Sequence, residues 1–157
     1  MLVFLTTQWV KLLLLVIIGA ASMAYKLFFK IKIGFELVTF VTVLAGMAYG
    51  TKAGLIVGAS TALLGLVVCL HAAKDPIDTV MNVVLMAGVG WAAGIFGGSN
   101  IAVIGAVLTV VFDVFYVPLR MLFYPNLSNY PLYIVGHWLL NFSIFRALGP
   151  LALKLLM

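Results

Sequence analysis

From Ala53 to Leu70, and again from Thr79 to Phe96, the chain runs without one charged side chain. Each stretch reaches the ~18 residues at which an apolar run reads as a helix crossing a bilayer. Hydrocarbon offers a backbone no hydrogen-bond partner, so each segment must satisfy its amides internally. Six apolar stretches qualify as spans, some of them shorter or holding an ionisable residue: Leu12–Tyr25, Ile33–Tyr49, Ala53–Leu70, Thr79–Phe96, Ile101–Leu119 and Leu132–Leu148. A short amphipathic tail, Leu151–Met157 with Lys154, follows the sixth. The expectation is an all-α membrane protein, a six-transmembrane-helix bundle forming a single domain over residues 1–157.

Composition supports that class. The chain is 66% hydrophobic and 8% charged, against about 25% charged in a typical soluble domain. Its net charge of +5 is scattered over the span ends, which suits lipid headgroups and argues against nucleic acid. The lone cysteine, Cys69, cannot form an internal disulfide and reads as packing. "KLLLLVIIGAASMAY" has the look of a signal sequence but reads as the first span.

The connections are unequal. "YGTKAG" and "FGGSN" are tight turns on one side, whereas "KLFFKIK", "HAAKDPID" and "RMLFYPNLSNYP" are longer joins on the other. One face of the membrane therefore carries the working loops. Charge leaves orientation open: Lys11, Lys52, Arg146 and Lys154 lie on one side, and Lys26, Lys30, Lys32, Lys74 and Arg120 on the other. Gly54 and Gly58, then Gly90, Gly94 and Gly98, then Ala102 and Ala106, repeat at steps of four. Small residues at that spacing let helices approach closely in lipid, and packing inside one bundle is favoured over a homodimer face.

Ionisable groups within a span are costly and mark interior or water-facing positions. Thr109, Asp113, Tyr116 and Arg120 form one helical stripe, and Tyr133, His137 and Asn141 another. With Asn82 and Glu36 they fall on the long-loop half of the bilayer or near its middle. This predicts a pocket open to one side, contacted by Asn82, Asp113, His137 and Asn141, with Tyr116, Tyr133 and Trp138 as stacking surfaces. Each residue has a structural alternative. Glu36 pairs with Lys32; Asp113 is held by Arg120 or His137; Arg120 snorkels to headgroups; His137 is a satisfied interior histidine; Asn141 is an interhelical clasp; Trp91 and Trp138 are core or interfacial. His71, Asp75 and Asp78 have ligand-like spacing, but Pro76 breaks it as a helix, so no metal is expected. No nucleotide-binding or hydrolase motif is present, which points away from an enzyme and calls for no cofactor.

"IKIGFELVTFVTVLAGMAYGTKAGLIVGASTALLGLV", with Gly46, Gly50, Gly54 and Gly58, resembles the second and third helices of substrate-binding S components of energy-coupling factor (ECF) transporters. "GHWLLNFSIFRALGPLALKLL" resembles that family's last helix. The resemblance implies a multi-pass protein of the cell (plasma) membrane that captures a vitamin or related micronutrient from outside. It implies a pocket between the outer ends of helices four to six, beneath the loops after helices one, three and five. The implied partners are a transmembrane coupling protein and two ATPase subunits that drive reorientation in the bilayer. Ala20 and Ala24 match in type the small pair by which the family's first helix packs or docks, although they sit late in the span. A membrane scaffold for envelope assembly, similar to the rod-shape protein MreD, is the alternative; a small channel or ion-coupled carrier is a further one.

Overall fold

The computed structural model describes residues 2–28, 34, 36–69, 75–124 and 130–157, with side chains from residue 7 onward and Tyr130 omitted. Among these residues the fold is all-helical: α1 (Leu2–Ser22), α2 (Tyr25–Phe28), α3 (Val38–Tyr49), α4 (Thr51–Val68), α5 (Pro76–Ile95), α6 (Ile101–Phe123), α7 (Tyr130–Ala147) and α8 (Gly149–Leu156). Lys30, Lys32, His71 and Lys74 lie outside the described residues.

Four helical segments are long and apolar enough to cross a membrane: Thr7–Phe28, Thr51–Val68, Pro76–Ile95 and Ile101–Phe123. A fifth is formed if α7 and α8, bent by 57°, count as one span. A count of six full-length spans is not reached. The expected second span over residues 33–49 is instead the 12-residue α3, about 18 Å long against a hydrocarbon core of ~30 Å. The reason is its position. Every residue from Val38 to Met47 is buried, and α3 touches α1, α4, α5, α6, α7 and α8. A helix apolar all round belongs in an interior, and one enclosed by other helices need not match the bilayer by itself.

Non-helical backbone continues the depth that α3 does not reach. Gly34 adopts φ +69° and packs so tightly on α7 that a β-carbon there would stand 2.7 Å from the His137 amide nitrogen. His137 lies inside the α7 helix, so the backbone at Gly34 sits at span depth, where it turns with the Glu36 amide donating to the Gly34 carbonyl at 3.0 Å. Such backbone is tolerated in a membrane only where protein encloses it. Here the Leu37 amide donates to Ser22 Oγ at 2.9 Å, and Glu36 forms an ion pair with Lys26 of α2; its pairing with Lys32 lies outside the described residues.

The tightest packing is between α3, α4 and α5. A β-carbon on Gly54 would stand 2.1 Å from the Gly90 carbonyl oxygen, and one on Gly90 would stand 2.0 Å from that of Gly54. Gly58 meets the Met86 carbonyl in the same way, Gly46 meets Gly90, and Gly94 meets Thr51. The glycine series thus joins helices within one chain, while Leu55, Ile56, Leu63 and Leu64 of α4 point outward. Ala20 is likewise buried, against Gly65 of α4. Helix α1 ends at Ser22, before Ala24, so the two alanines do not share one continuous helix face.

Gly50, at φ +88°, is the whole link between α3 and α4. On the same side, Lys11 Nζ and the Tyr49 hydroxyl donate to the Leu156 carbonyl at 2.9 and 2.8 Å. These bonds satisfy one of the carbonyls that a helix C-terminus leaves unpaired and hold α8 against α1 and α3.

The glycine contact predicts opposite outcomes for two neighbouring substitutions. Gly90→Ala forces α4 and α5 apart and should cost about 1–3 kcal/mol, read as a lower melting temperature in detergent. Gly88→Ala, where an added β-carbon meets nothing within 4 Å, should leave the melting temperature unchanged or raise it.

Candidate functional site

Helices α6 and α7 run antiparallel and place their polar stripes face to face. A β-carbon on Gly105 of α6 would meet the Phe145 ring of α7 at 2.3 Å, and Asp113 of α6 meets His137 of α7 at 2.9 Å. Between these anchor points the register sets Thr109 at the level of Asn141. Phe145, fully buried and tilted against Phe40 at 5.2 Å, closes the apolar end.

The inner cluster centres on Asp113. Its Oδ2 accepts from His137 Nδ1 at 2.9 Å and from Trp138 Nε1 at 2.7 Å. With Nδ1 carrying the proton, Nε2 of a neutral imidazole faces the Thr39 hydroxyl of α3 at 3.4 Å. Tyr133 stacks on His137 at 5.4 Å, and Phe112 meets the same ring edge-on at 6.1 Å. Asn141 donates from Nδ2 to the His137 carbonyl at 2.9 Å. Asp113, His137, Asn141 and Thr39 are all buried. Two oxygens in this cluster, Asp113 Oδ1 and Asn141 Oδ1, have no hydrogen-bond partner among the described residues. Leaving such acceptors buried and unpaired costs about 1–3 kcal/mol each, more for a charged group.

An outer cluster lies toward the long-loop side. Asp75 caps α5 by accepting the Asp78 amide at 3.0 Å, with Pro76 opening the helix. The ring that breaks a helix in its interior is well placed in a first turn. Asp78 accepts from the Tyr116 hydroxyl at 2.7 Å and forms an ion pair with Arg120, whose Nη1 also donates to Tyr116 at 2.8 Å. Arg120 therefore turns inward, at 7% exposure, where snorkelling had been one reading. Its guanidinium lies over the Tyr116 and Tyr124 rings at 5.9 and 5.3 Å. The Tyr124 hydroxyl donates to Asp75, and that bond, with burial, raises the phenol above its ordinary pKa.

The structure brings together Asp113, His137, Trp138, Asn141 and Tyr133, and joins Tyr116 to the outer cluster. Asn82, one turn along α5 from Asp78, is half-buried and makes no side-chain hydrogen bond among the described residues. Thr39 and Gly34 were missed in the sequence, and Asp78 was weighed only as one of a metal-ligand spacing with His71 and Asp75. Asp78 had a usable signal, since it stands one turn before Asn82 on the same helix. Thr39 and Gly34 had none, because their role depends on α3 lying beside α7. Among the described residues no group of three metal-ligating side chains occurs.

A groove of about 250 Å³ runs beside the inner cluster, lined by Ala106, Thr109, Val110, Trp138, Leu139 and Phe142. Trp138 separates it from Asp113: the indole lines the groove while its N–H reaches the carboxylate. Comparison with protein-family models, curated proteins and solved structures finds no match.

The Asp78–Arg120 pair predicts a non-additive pair of substitutions. Arg120→Met leaves a buried carboxylate without its cation and should cost about 3–5 kcal/mol, whereas adding Asp78→Leu should recover most of the loss. Thermal unfolding of both variants checks this.

Proposed function

We propose that this chain is a membrane-embedded substrate-capture subunit, similar to the S component of an ECF-type importer. It takes a vitamin or related micronutrient from the long-loop side of the cell membrane. Partner ATPases, acting through a transmembrane coupling protein, drive the reorientation that delivers it. The chain itself performs no covalent chemistry. The observation that carries this reading is the inner cluster. Polar side chains from α3, α6 and α7 meet at one level, and two buried oxygens there lack partners. A merely structural cluster in lipid gains by satisfying every polar atom, so residual acceptor capacity suits a guest.

In this reading the outer cluster and the Gly34 segment cover the site. Entry requires the Gly34 backbone to leave His137 or the Asp78–Arg120 tie to part. Both features join segments that adjoin long connections, and such segments can move while the glycine-packed α3–α4–α5 unit stays fixed.

The alternative is a scaffold similar to MreD, and the interhelical pairs Asp113–His137 and Asp78–Arg120 favour it, since each clamps two helices. One experiment separates the two. In native mass spectrometry of the purified protein, the capture reading expects a copurified small molecule. Asp113→Asn should remove that molecule while lowering the melting temperature by only a few degrees, because Asn keeps an acceptor for His137 and Trp138. A wild type that carries no small molecule under gentle release, with a large melting loss in the variant, would favour the scaffold.

A further inference from the structure

We infer that the inner cluster selects a flat ring bearing paired N–H donors, an amidine-like or amino-substituted cationic heterocycle, and rejects carboxylates of the same shape. This rests on the capture reading above and names the ligand class for its site.

The hydrogen-bond sense of the cluster is one-sided. Asp113 commits Oδ2 and Asn141 commits Nδ2 to the protein's own bonds, and each keeps its Oδ1 unpaired. The cluster's donors are turned inward: the His137 and Trp138 N–H groups on Asp113, and one N–H of the Asn141 amide on a backbone carbonyl. What is left over is acceptor capacity, with the formal charge of a carboxylate beside it. A ligand that donates can satisfy both oxygens, whereas one that only accepts would set lone pairs against them.

The described cations nearby do not alter that sign. Arg120 is held by Asp78 and Lys26 by Glu36. His137 presents its Nδ1–H to Asp113, and in the neutral imidazole its other ring nitrogen is an acceptor facing the Thr39 hydroxyl. The two free oxygens belong to facing helices, Asp113 on α6 and Asn141 on α7, with Asn141 one turn, about 6 Å of rise, beyond the His137 that meets Asp113. A group with two or more N–H bonds spread along one edge of a ring can offer a donor to each of them. The surroundings suit the ring itself, with Phe112, Tyr133 and Trp138 about the pair and offset or edge-on aromatic contact favourable. The groove on the far side of Trp138 supplies volume for a single ring; when the indole turns to admit it, its N–H leaves Asp113 Oδ2, and the ligand's donors take its place on the carboxylate.

Benzamidine and benzoate have nearly the same outline and opposite hydrogen-bond sense, so they test the sign directly. Isothermal titration of the wild-type protein in lipid nanodiscs should show saturable benzamidine binding at least tenfold stronger than benzoate. Asp113→Asn and Asn141→Leu should each weaken benzamidine roughly tenfold, the loss expected of a charge-assisted or buried hydrogen bond. If a variant does not fold, the wild-type comparison stands by itself. Benzoate binding as well as or better than benzamidine, or no benzamidine binding at all, overturns the ligand class. Benzamidine binding that both folded variants retain overturns the site assignment. Failure of the capture reading is seen separately, in a wild type from which native mass spectrometry releases no small molecule.

Discussion

Close contact between the backbones of α4 and α5 at Gly54 and Gly90 is the interaction on which this architecture rests. Lipid removes the hydrophobic drive that holds soluble helices together, so association depends on packing and on polar contacts. With no side chain at either position, the carbonyl of one helix fits where the β-carbon of the other would be. Gly46 and Gly58 bring α3 into the same joint, and the large aliphatic residues of α4 are left for the lipid. At this joint the bundle is small inside and bulky outside, while large side chains such as Phe40, Phe112 and Phe145 fill the interior elsewhere.

That rigid joint gives α6 and α7 a place to differ. They pack mainly on one another and, through Thr39, Phe40 and Phe145, on α3. Polar residues are concentrated here rather than in the glycine-packed unit. The placement is economical in a physical sense: a charge at the α4–α5 crossing would find neither space nor partner, whereas the α6–α7 seam supplies ring edges, indole and imidazole N–H groups and a facing carboxylate. The inner and outer clusters divide the work by depth. The outer one binds α5 to α6 by an ion pair; the inner one keeps unspent acceptor capacity.

Much of this was legible in the sequence. Uncharged runs such as Ala53–Leu70 determine a membrane helix by length alone, and the steps from Asp113 to Arg120 and from Tyr133 to Asn141 place each stripe on one face. Opposing those stripes needed only the alternation of spans. The short α3 was not legible, because an apolar run of 17 residues looks the same whether it faces lipid on every side or is enclosed by neighbours. Local pattern records hydrophobicity, and enclosure is a property of the whole assembly. For the same reason Arg120 could be read as reaching for headgroups. Its inward turn depends on Asp78, a residue of another helix more than forty positions earlier, and no spacing rule joins the two. Gly34 is the extreme case, since its demand for a bare α-carbon comes from the backbone of His137.

The short central helix has a consequence for biogenesis. A segment of 12 residues is too brief to be released into the bilayer as an independent anchor, and its enclosing partners α5 to α8 are synthesised after it. With Gly50 as the sole hinge to α4, the two must enter as a folded-back hairpin, the longer arm carrying the shorter one in. The orientation of α3 is then set by the same chain reversal at Gly50 that sets α4, and a change that stiffened or lengthened this link would act on both helices at once.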